Sequence, residues 1–174
     1  MATRKAAMTS RILLRPPVPA DQREFLAAVR RSRALHRPWT SAPSTPAEFR
    51  RYLERMSAPA DHAFLICLRD GSGIAGVVHI SHVVLGPLRS GYLGYYAFAG
   101  YERQGLMREG LQAVVRHAFK VLKLHRLEAN IQPGNAASIA LAKACGFSKE
   151  GFSPRYLKLG GRWRDHERWA IVAR

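Results

Sequence analysis

The chain has 174 residues, of which 47% are apolar and 23% charged; this composition excludes wholesale disorder, and the length allows one domain but not two of normal size. No apolar run reaches the ~18 residues of a membrane-spanning helix, and the first ten residues lack the apolar stretch of a signal peptide. The 28 Lys and Arg against 12 Asp and Glu give a net charge of +16, which favours polyanionic partners such as nucleic acid or phosphorylated cofactors, although arginine-rich codon usage would give the same scattered pattern.

The first half of the chain predicts a strand, two helices and a β-hairpin. A short strand over residues 11–15 stops at two prolines, and a helix with an apolar stripe opens at Asp21. Thr45 starts a capping box, with proline at the first helical position and glutamate at the third, so a second helix begins there. The β-rich runs 63–69 and 74–85 enclose an Asp-Gly-Ser-Gly turn and form the hairpin.

The middle of the chain predicts two strands with a long helix between them. Residues 91–98 form a tyrosine-rich strand, and residues 106–122 form a helix whose apolar stripe includes Val121. In residues 126–132 apolar and polar side chains alternate, as in a strand with one buried face.

The last part of the chain predicts a helix and a second hairpin. Asn135 is suited to cap a short helix, and Gly146 is suited to end it in the left-handed conformation. The runs 152–159 and 163–172 pair around two glycines. This order of elements predicts one mixed α/β domain over residues 1–174, the first ten of which form a flexible extension.

The loop before the long helix has the features of a phosphate site. Residues 99–105 contain two glycines, and Gly105 immediately precedes the helix, whose N-terminal N–H groups and positive dipole end attract a pyrophosphate. Arg103 and Arg108 add positive charge. Alone, so short a pattern also fits an ordinary turn between a strand and a helix.

Six spaced motifs lie in the second half of the chain. They are Tyr92-Leu-Gly-Tyr95, Gly105-Leu-Met-Arg-Glu109, His125-Arg126, Pro133-Gly-Asn-Ala-Ala-Ser138, Gly146-Phe-Ser-Lys-Glu-Gly151 and Trp163-Arg-Asp-His166. In this order they resemble the GCN5-related N-acetyltransferase (GNAT) superfamily, and within it the ribosomal-protein alanine N-acetyltransferase branch of the RimJ/RimL type. The detailed resemblance covers residues 91–172, and the first 90 residues match as a pattern of elements.

This resemblance implies a mostly antiparallel seven-stranded sheet flanked by about four helices, in which the fourth and fifth strands, here 91–98 and 126–132, splay apart. Acetyl-CoA, the co-substrate, would lie in that gap, and no metal is expected. The fourth strand would pair with the pantetheine arm, the helix N-terminus would hold the pyrophosphate, and an asparagine would contact the pantetheine from the far side. The residues so implicated are Ala97, Phe98, Arg103, Gln104, Gly105, Leu106, Met107, Arg108 and Asn135.

The resemblance also suggests catalytic groups. Many superfamily members protonate the leaving thiolate with a tyrosine at the position of Ala142, so the hydroxyl of Ser138 is expected to take that role here. Related alanine acetyltransferases carry a glutamate as base at the position of Asn130, an amide that can hold a water but cannot accept a proton. Glu128, on the same face of the strand, would either act through water or pair with a surface arginine. The catalytic prediction is therefore Ser138, Glu128 and Asn130.

Three further polar residues stand out beside this set. Glu102 replaces the Gln or Arg that usually begins the pyrophosphate motif, and Arg103 would offset its charge. Asp165 and His166 in the last hairpin are additional candidates, and Asp165 is interpreted as structural or substrate-orienting.

The predicted activity is acetyl-CoA-dependent N-acetylation of a protein N-terminus of the Ala or Ser type, for example on a ribosomal protein. An α-amine has a pKa near ~8, so roughly a tenth of it is neutral at pH 7 and a strong base is unnecessary. One alternative is a small-molecule amine acetyltransferase, although a chain of this charge repels polycations. Another is a non-catalytic nucleic-acid-binding module, although no helix concentrates arginines with aromatic residues on one face.

The expected setting is a reduced cytoplasm. Cys67 and Cys145 are too few for a disulfide framework. The charge suggests association with the ribosome. No membrane partner is expected, and the oligomeric state stays open.

Overall fold

A computed structural model describes residues 10–174, so the extension predicted for residues 1–10 lies, apart from Ser10, outside the described part of the chain. The elements are β1 (Ile12–Arg15), a 3-10 helix (Pro19–Asp21), α1 (Gln22–Arg31), α2 (Arg33–His36), α3 (Pro46–Met56), β2 (His62–Leu68), β3 (Ile74–Val84), β4 (Ser90–Ala97), α4 (Leu106–Lys120), β5 (Arg126–Ile131), α5 (Ala136–Ala144), β6 (Ser148–Leu159) and β7 (Arg162–Val172). None of these helices is long and apolar enough to cross a membrane.

The strands form one seven-stranded sheet in the order β1-β2-β3-β4-β5-β7-β6. Every neighbouring pair is antiparallel except β4 and β5, which run parallel. These two strands pair only where Ser90–Tyr92 lie beside Arg126–Glu128, and they separate beyond that point. The predicted mixed α/β fold with a splayed fourth and fifth strand is confirmed.

Two apolar cores pack on opposite faces of the sheet. The first lies between the sheet and α4, where Leu111 and Val114 belong to one buried cluster with sheet residues such as Leu127. The second lies beneath α1 and α3, where Phe25 and Phe49 pack at a ring-centroid distance of 4.8 Å. Along β5 buried and partly exposed residues alternate, as predicted. The polar side chains of β5 therefore lie on the α1–α3 side of the sheet.

Local sequence signals explain several of the helix ends. The Thr45 side chain accepts a hydrogen bond from the Glu48 N–H, which completes the predicted capping box of α3. Gly105 precedes α4 with φ +77° and Gly146 follows α5 with φ +91°, a conformation that favours glycine.

The structure corrects three of the predicted boundaries. The helix opening near Asp21 is interrupted at Ser32, whose hydroxyl donates to Ala28 O (2.6 Å) and accepts from the Ala99 N–H (2.8 Å). Val121 follows the end of α4 and is 62% exposed, so it does not belong to the apolar stripe. β6 begins at Ser148, four residues before its predicted start, because its first residues pair with β7.

Candidate active site

The gap between β4 and β5 opens into a cleft of about 1180 Å³. Its walls include residues at the start of α4, the first turn of α5, and the β6–β7 hairpin. Position 94 on β4 is a glycine, so the sheet has no side chain there. The divergence of the two strands thus creates a long cavity with room for a cofactor and an acceptor.

One end of the cleft is the N-terminus of α4. The first helical bond runs from the Glu109 N–H to Gly105 O (3.0 Å), so the N–H groups of Leu106, Met107 and Arg108 precede the helical ladder. Free N–H groups and the positive end of the helix dipole attract a phosphate. This end therefore fits the pyrophosphate of a nucleotide cofactor.

Two carboxylates near this end are held by other groups. Glu102 accepts the N–H of Gly100 (2.6 Å) within the loop. Glu109 accepts the backbone N–H of Arg11 (2.8 Å) and pairs with its guanidinium at 3.2 Å. Arg103 and Arg108 line the cleft. The departure at Glu102 thus serves the loop conformation, and the two arginines add positive charge to the lining of the cleft.

The backbone beside β4 offers fewer groups than predicted. The Phe98 N–H donates to Ala75 O (2.8 Å), and the Phe98 side chain is fully buried in the second core. The carbonyl of Ala97 faces the gap, but it accepts a hydrogen bond from His36 Nε2 (2.8 Å). The Phe98 N–H is therefore not available to a ligand in the gap, because it is directed toward β3.

The predicted cofactor residues fall into two groups. Those that line the cleft are Ala97, Arg103, Gly105, Met107, Arg108 and Asn135. The other three do not: Phe98 and Leu106 are buried in the two cores, and Gln104 donates to Gly100 O (2.8 Å) within the loop. Leu106 contributes only its N–H to the helix N-terminus.

The hydroxyl of Ser138 lies in the first turn of α5 and lines the cleft. Asn135 caps this helix by accepting the Ser138 N–H (3.2 Å). The Ser138 hydroxyl donates to the hydroxyl of Tyr95 on β4 (2.9 Å). Burial raises the pKa of Tyr95 to about 12, although the bond from Ser138 opposes this effect. The two hydroxyls therefore stay protonated and link the two walls of the cleft.

The other two predicted catalytic residues differ in their surroundings. Glu128 accepts from Arg126 Nε (2.7 Å), and Arg126 also binds Glu150. Glu128 therefore forms an ion pair with an arginine, which was the second of the two roles predicted for it. It does not line the cleft. Asn130 lines the cleft, and its Oδ1 atom is buried with no hydrogen-bond partner in residues 10–174.

Histidines that the sequence analysis did not single out also line the cleft. His79 on β3 lies over Gly94, and its Nδ1 is buried with no partner in the described chain. Burial, reinforced by the charge of Arg55, lowers the pKa of His79 to about 4. His36 is the last residue of α2, a helix that was not predicted as separate. The one sequence signal for His79 is that it interrupts an apolar strand.

We use the name acceptor end for one group of cleft-lining residues: Trp39, His79, Tyr92, Tyr96 and Asn130. Their side chains are aromatic or polar and uncharged. Among the described residues that line the whole cleft, the only carboxylate is Glu102, which belongs to the pyrophosphate loop. This arrangement suits a neutral amine better than a polycation. No group of three or more metal-ligating side chains was found within residues 10–174.

Comparison with known families and curated proteins agrees with this geometry. The family model described as "Acetyltransferase (GNAT) domain" matches residues 11–148. The probable N-acetyltransferase YjcK of Bacillus subtilis (strain 168) is 33% identical over 121 residues, which are 70% of this chain and 67% of that protein. A ribosomal protein uS5-alanine N-acetyltransferase of Escherichia coli (strain K12) is 40% identical over 103 residues, 59% of this chain. This match spans about half, 53%, of the E. coli protein.

Solved structures resemble the whole described fold. Mycobacterium smegmatis RimJ in complex with CoA-disulfide superposes with a TM-score of 0.86 at 28% identity, covering 93% of this chain and 82% of that one. A spermidine N-acetyltransferase from Vibrio cholerae in complex with CoA and spermine has a TM-score of 0.77 at 20% identity, covering 94% and 96% of the two chains. The second likeness concerns the fold alone.

Proposed function

This chain belongs to the GNAT acetyltransferase family, and we propose that it transfers the acetyl group of acetyl-CoA to the N-terminal α-amine of a protein whose first residue is Ala or Ser. The observation that carries this proposal is the acceptor end of the cleft, where Trp39, Tyr92 and Tyr96 stand with no carboxylate from residues 10–174 beside them. A polyamine needs several negative groups to balance its charge, whereas an α-amine with a pKa near ~8 enters in its neutral form.

The relatives favour the same acceptor class. The E. coli relative carries the name of a ribosomal-protein alanine acetyltransferase, and RimJ is among the similar structures at 28% identity. A ribosomal protein on an RNA-rich particle in the cytoplasm is therefore the proposed setting, and the net charge of +16 supports approach to it.

The cleft provides the groups that such a transfer requires. Acetyl-CoA supplies the activated acetyl group as a thioester. The N–H groups at the start of α4 and the guanidinium groups of Arg103 and Arg108 would hold its pyrophosphate. Ala97 and Asn135 would contact the pantetheine arm from opposite walls. Ser138 would donate a hydrogen bond to the sulfur as negative charge develops there, because a placed donor stabilises a developing anion.

Incubation with defined acceptors tests the proposal. Peptides that begin with Ala or Ser are compared with the same peptides blocked at the N-terminus and carrying a free lysine, and with spermidine. We expect acetyl transfer, followed by mass spectrometry, to the free α-amine alone. Transfer only to lysine or to spermidine would overturn the N-terminal proposal and leave membership of the acetyltransferase family intact.

A further inference from the structure

None of the three predicted catalytic residues is placed to take the proton that the amine loses. Asn130 is an amide and cannot accept a proton. Glu128 is bound to Arg126 and does not line the cleft. The Ser138 hydroxyl is a donor, directed to Tyr95 in this structure. A neutral amine that forms an amide bond must still release one proton, so another group has to take it.

His166 on β7 has the geometry of such a group. The residue is only 2% exposed, and its side chain lines the cleft. Its Nδ1 lies 2.9 Å from the backbone oxygen of Arg164. A carbonyl oxygen can only accept, so Nδ1 carries the hydrogen in this bond. In the neutral imidazole, Nε2 therefore keeps its lone pair.

The sheet register places His166 on the same face of the sheet as Asn130, a residue of the acceptor end. Asn130 on β5 pairs with Arg168 on β7, and His166 lies two residues farther along β7. Because side chains two residues apart lie on the same face of a strand, His166 shares the face that carries Asn130. Both residues line the cleft.

Its neighbours hold the imidazole in place. The ring of Tyr156 on β6 contacts it edge-on, at a centroid distance of 6.2 Å and an angle of 62°. The adjacent Asp165 is exposed, and it accepts the Arg155 N–H (2.7 Å) across the hairpin. Asp165 thus stabilises the hairpin, whereas His166 reaches the cleft.

The other cleft histidines are less suited to accept a proton. Burial lowers the pKa of His79 to about 4, so it binds protons weakly at neutral pH. His36 uses Nε2 to donate to Ala97 O, and burial lowers its pKa as well. His82 is an exposed residue of the rim.

We propose that His166 is the general base of this enzyme and accepts the proton of the acceptor amine at Nε2. The inference rests on acetyl transfer to an amine in this cleft, as proposed above. The amine lone pair forms the new C–N bond at the thioester carbonyl carbon, and the C–S bond breaks with its electron pair remaining on sulfur. The proton from nitrogen passes to Nε2 and returns through solvent to the sulfur, so charge and atoms balance.

A set of three variants separates this role from a structural one. His166→Asn keeps an N–H that can bond to Arg164 O but removes the basic Nε2. His166→Ala leaves a space for added imidazole. His125→Asn is the matched control, because His125 is exposed and does not line the cleft. Acetyl-CoA affinity, measured by calorimetry, reports whether each variant retains the folded cofactor site.

We expect His166→Asn to lower kcat by roughly 100-fold or more with acetyl-CoA affinity unchanged, since general-base terms are typically about 10²–10⁴. Added imidazole should restore part of the activity of His166→Ala, and His125→Asn should match the wild type. A kcat of His166→Asn within about threefold of wild type would overturn the proposal, as would a loss of activity matched by an equal loss of acetyl-CoA affinity. The assays use the amine that the wild type acetylates best, so failure of the N-terminal proposal is seen separately.

Discussion

Ser138 and Tyr95 form a reciprocal hydrogen-bonded pair across the cleft. The Ser138 hydroxyl donates to the Tyr95 hydroxyl (2.9 Å), and the Tyr95 hydroxyl donates to the backbone oxygen of Ser138 (3.0 Å). The tyrosine therefore fixes the first turn of α5 to β4. It also holds the serine hydroxyl ready to turn toward a third group, because a hydroxyl hydrogen rotates at little cost.

Removal of the serine hydroxyl is the first test of this pair. We expect Ser138→Ala to lower kcat by roughly 10- to 1000-fold with little change in acetyl-CoA affinity, because acid–base and donor contributions typically lie near 10²–10⁴. Steady-state kinetics measure both quantities.

Tyr95→Phe is the matched control for Ser138→Ala. It removes the bond that holds α5 but leaves the serine donor in place, so its kcat should fall less than that of Ser138→Ala. An unchanged kcat in Ser138→Ala would remove the serine from the mechanism.

The pyrophosphate site can be tested at Gly105. We expect Gly105→Val to weaken acetyl-CoA binding by at least about tenfold, because the side chain would stand where the loop meets the helix N-terminus. It should also lower stability by about 1–2 kcal/mol, since φ is +77°.

Gly71→Val separates these two effects, because Gly71 has φ +79° and nothing within 4 Å of an added Cβ. Chemical denaturation should show a similar stability loss in both variants, whereas calorimetry should show weaker acetyl-CoA binding only for Gly105→Val. Equal acetyl-CoA affinity of the two folded variants would mean that the site is misplaced.

The cofactor loop could be predicted from the sequence because its residues are close together in the chain. Gly105, the arginines and the helix start lie within a few residues, and the strand before them has a clear pattern. The sequence left two roles open for Glu128 and did not decide between them. Its ion pair with Arg126 also involves Glu150, a residue of β6 that only the sheet order brings near. The bond between His36 and Ala97 likewise joins residues 61 positions apart.

Glu128 provides a negative test of the mechanism. Because its carboxylate is bound to Arg126 away from the cleft wall, we expect Glu128→Gln to leave kcat within about threefold of wild type. Stability should fall by no more than about 1 kcal/mol, since both side chains are 26% exposed and solvent screens such pairs. Steady-state kinetics and urea denaturation check both points. A 100-fold loss of kcat in a stable variant would return Glu128 to the catalytic set.

The net charge of the chain leads to a separate prediction about binding to ribosomes. We expect co-sedimentation with ribosomes at low salt and its loss as salt rises, because the screening length falls to about 8 Å at physiological ionic strength. Ser138→Ala, for which we expect a lower kcat, should sediment like the wild type, which separates binding from turnover. Sedimentation that is absent at low salt would refute the ribosome as partner and would leave the acetyltransferase activity unaffected.

The buried imidazole of His79 should make stability depend on pH. Burial, reinforced by Arg55 and partly opposed by Asp61, lowers its pKa from the ordinary 6.5 to about 4. Between these two values the unfolded chain binds a proton that the folded protein does not. The stability contribution of neutral His79 is therefore complete above pH 6.5 and is lost as pH falls toward 4. Between pH 8 and pH 5 this effect lowers the free energy of unfolding by about 2 kcal/mol.

Urea denaturation of wild type and His79→Gln at pH 8 and pH 5 measures this effect. His36 and His117 also have pKa values lowered by burial, but they are present in both proteins, so the difference between the two isolates His79. Between pH 8 and pH 5, we expect the free energy of unfolding of His79→Gln to fall by about 2 kcal/mol less than that of the wild type. His125→Gln, at an exposed site, should follow the wild type at both values. If the wild-type and His79→Gln stabilities fall in parallel, then the imidazole of His79 titrates normally and is reached by solvent.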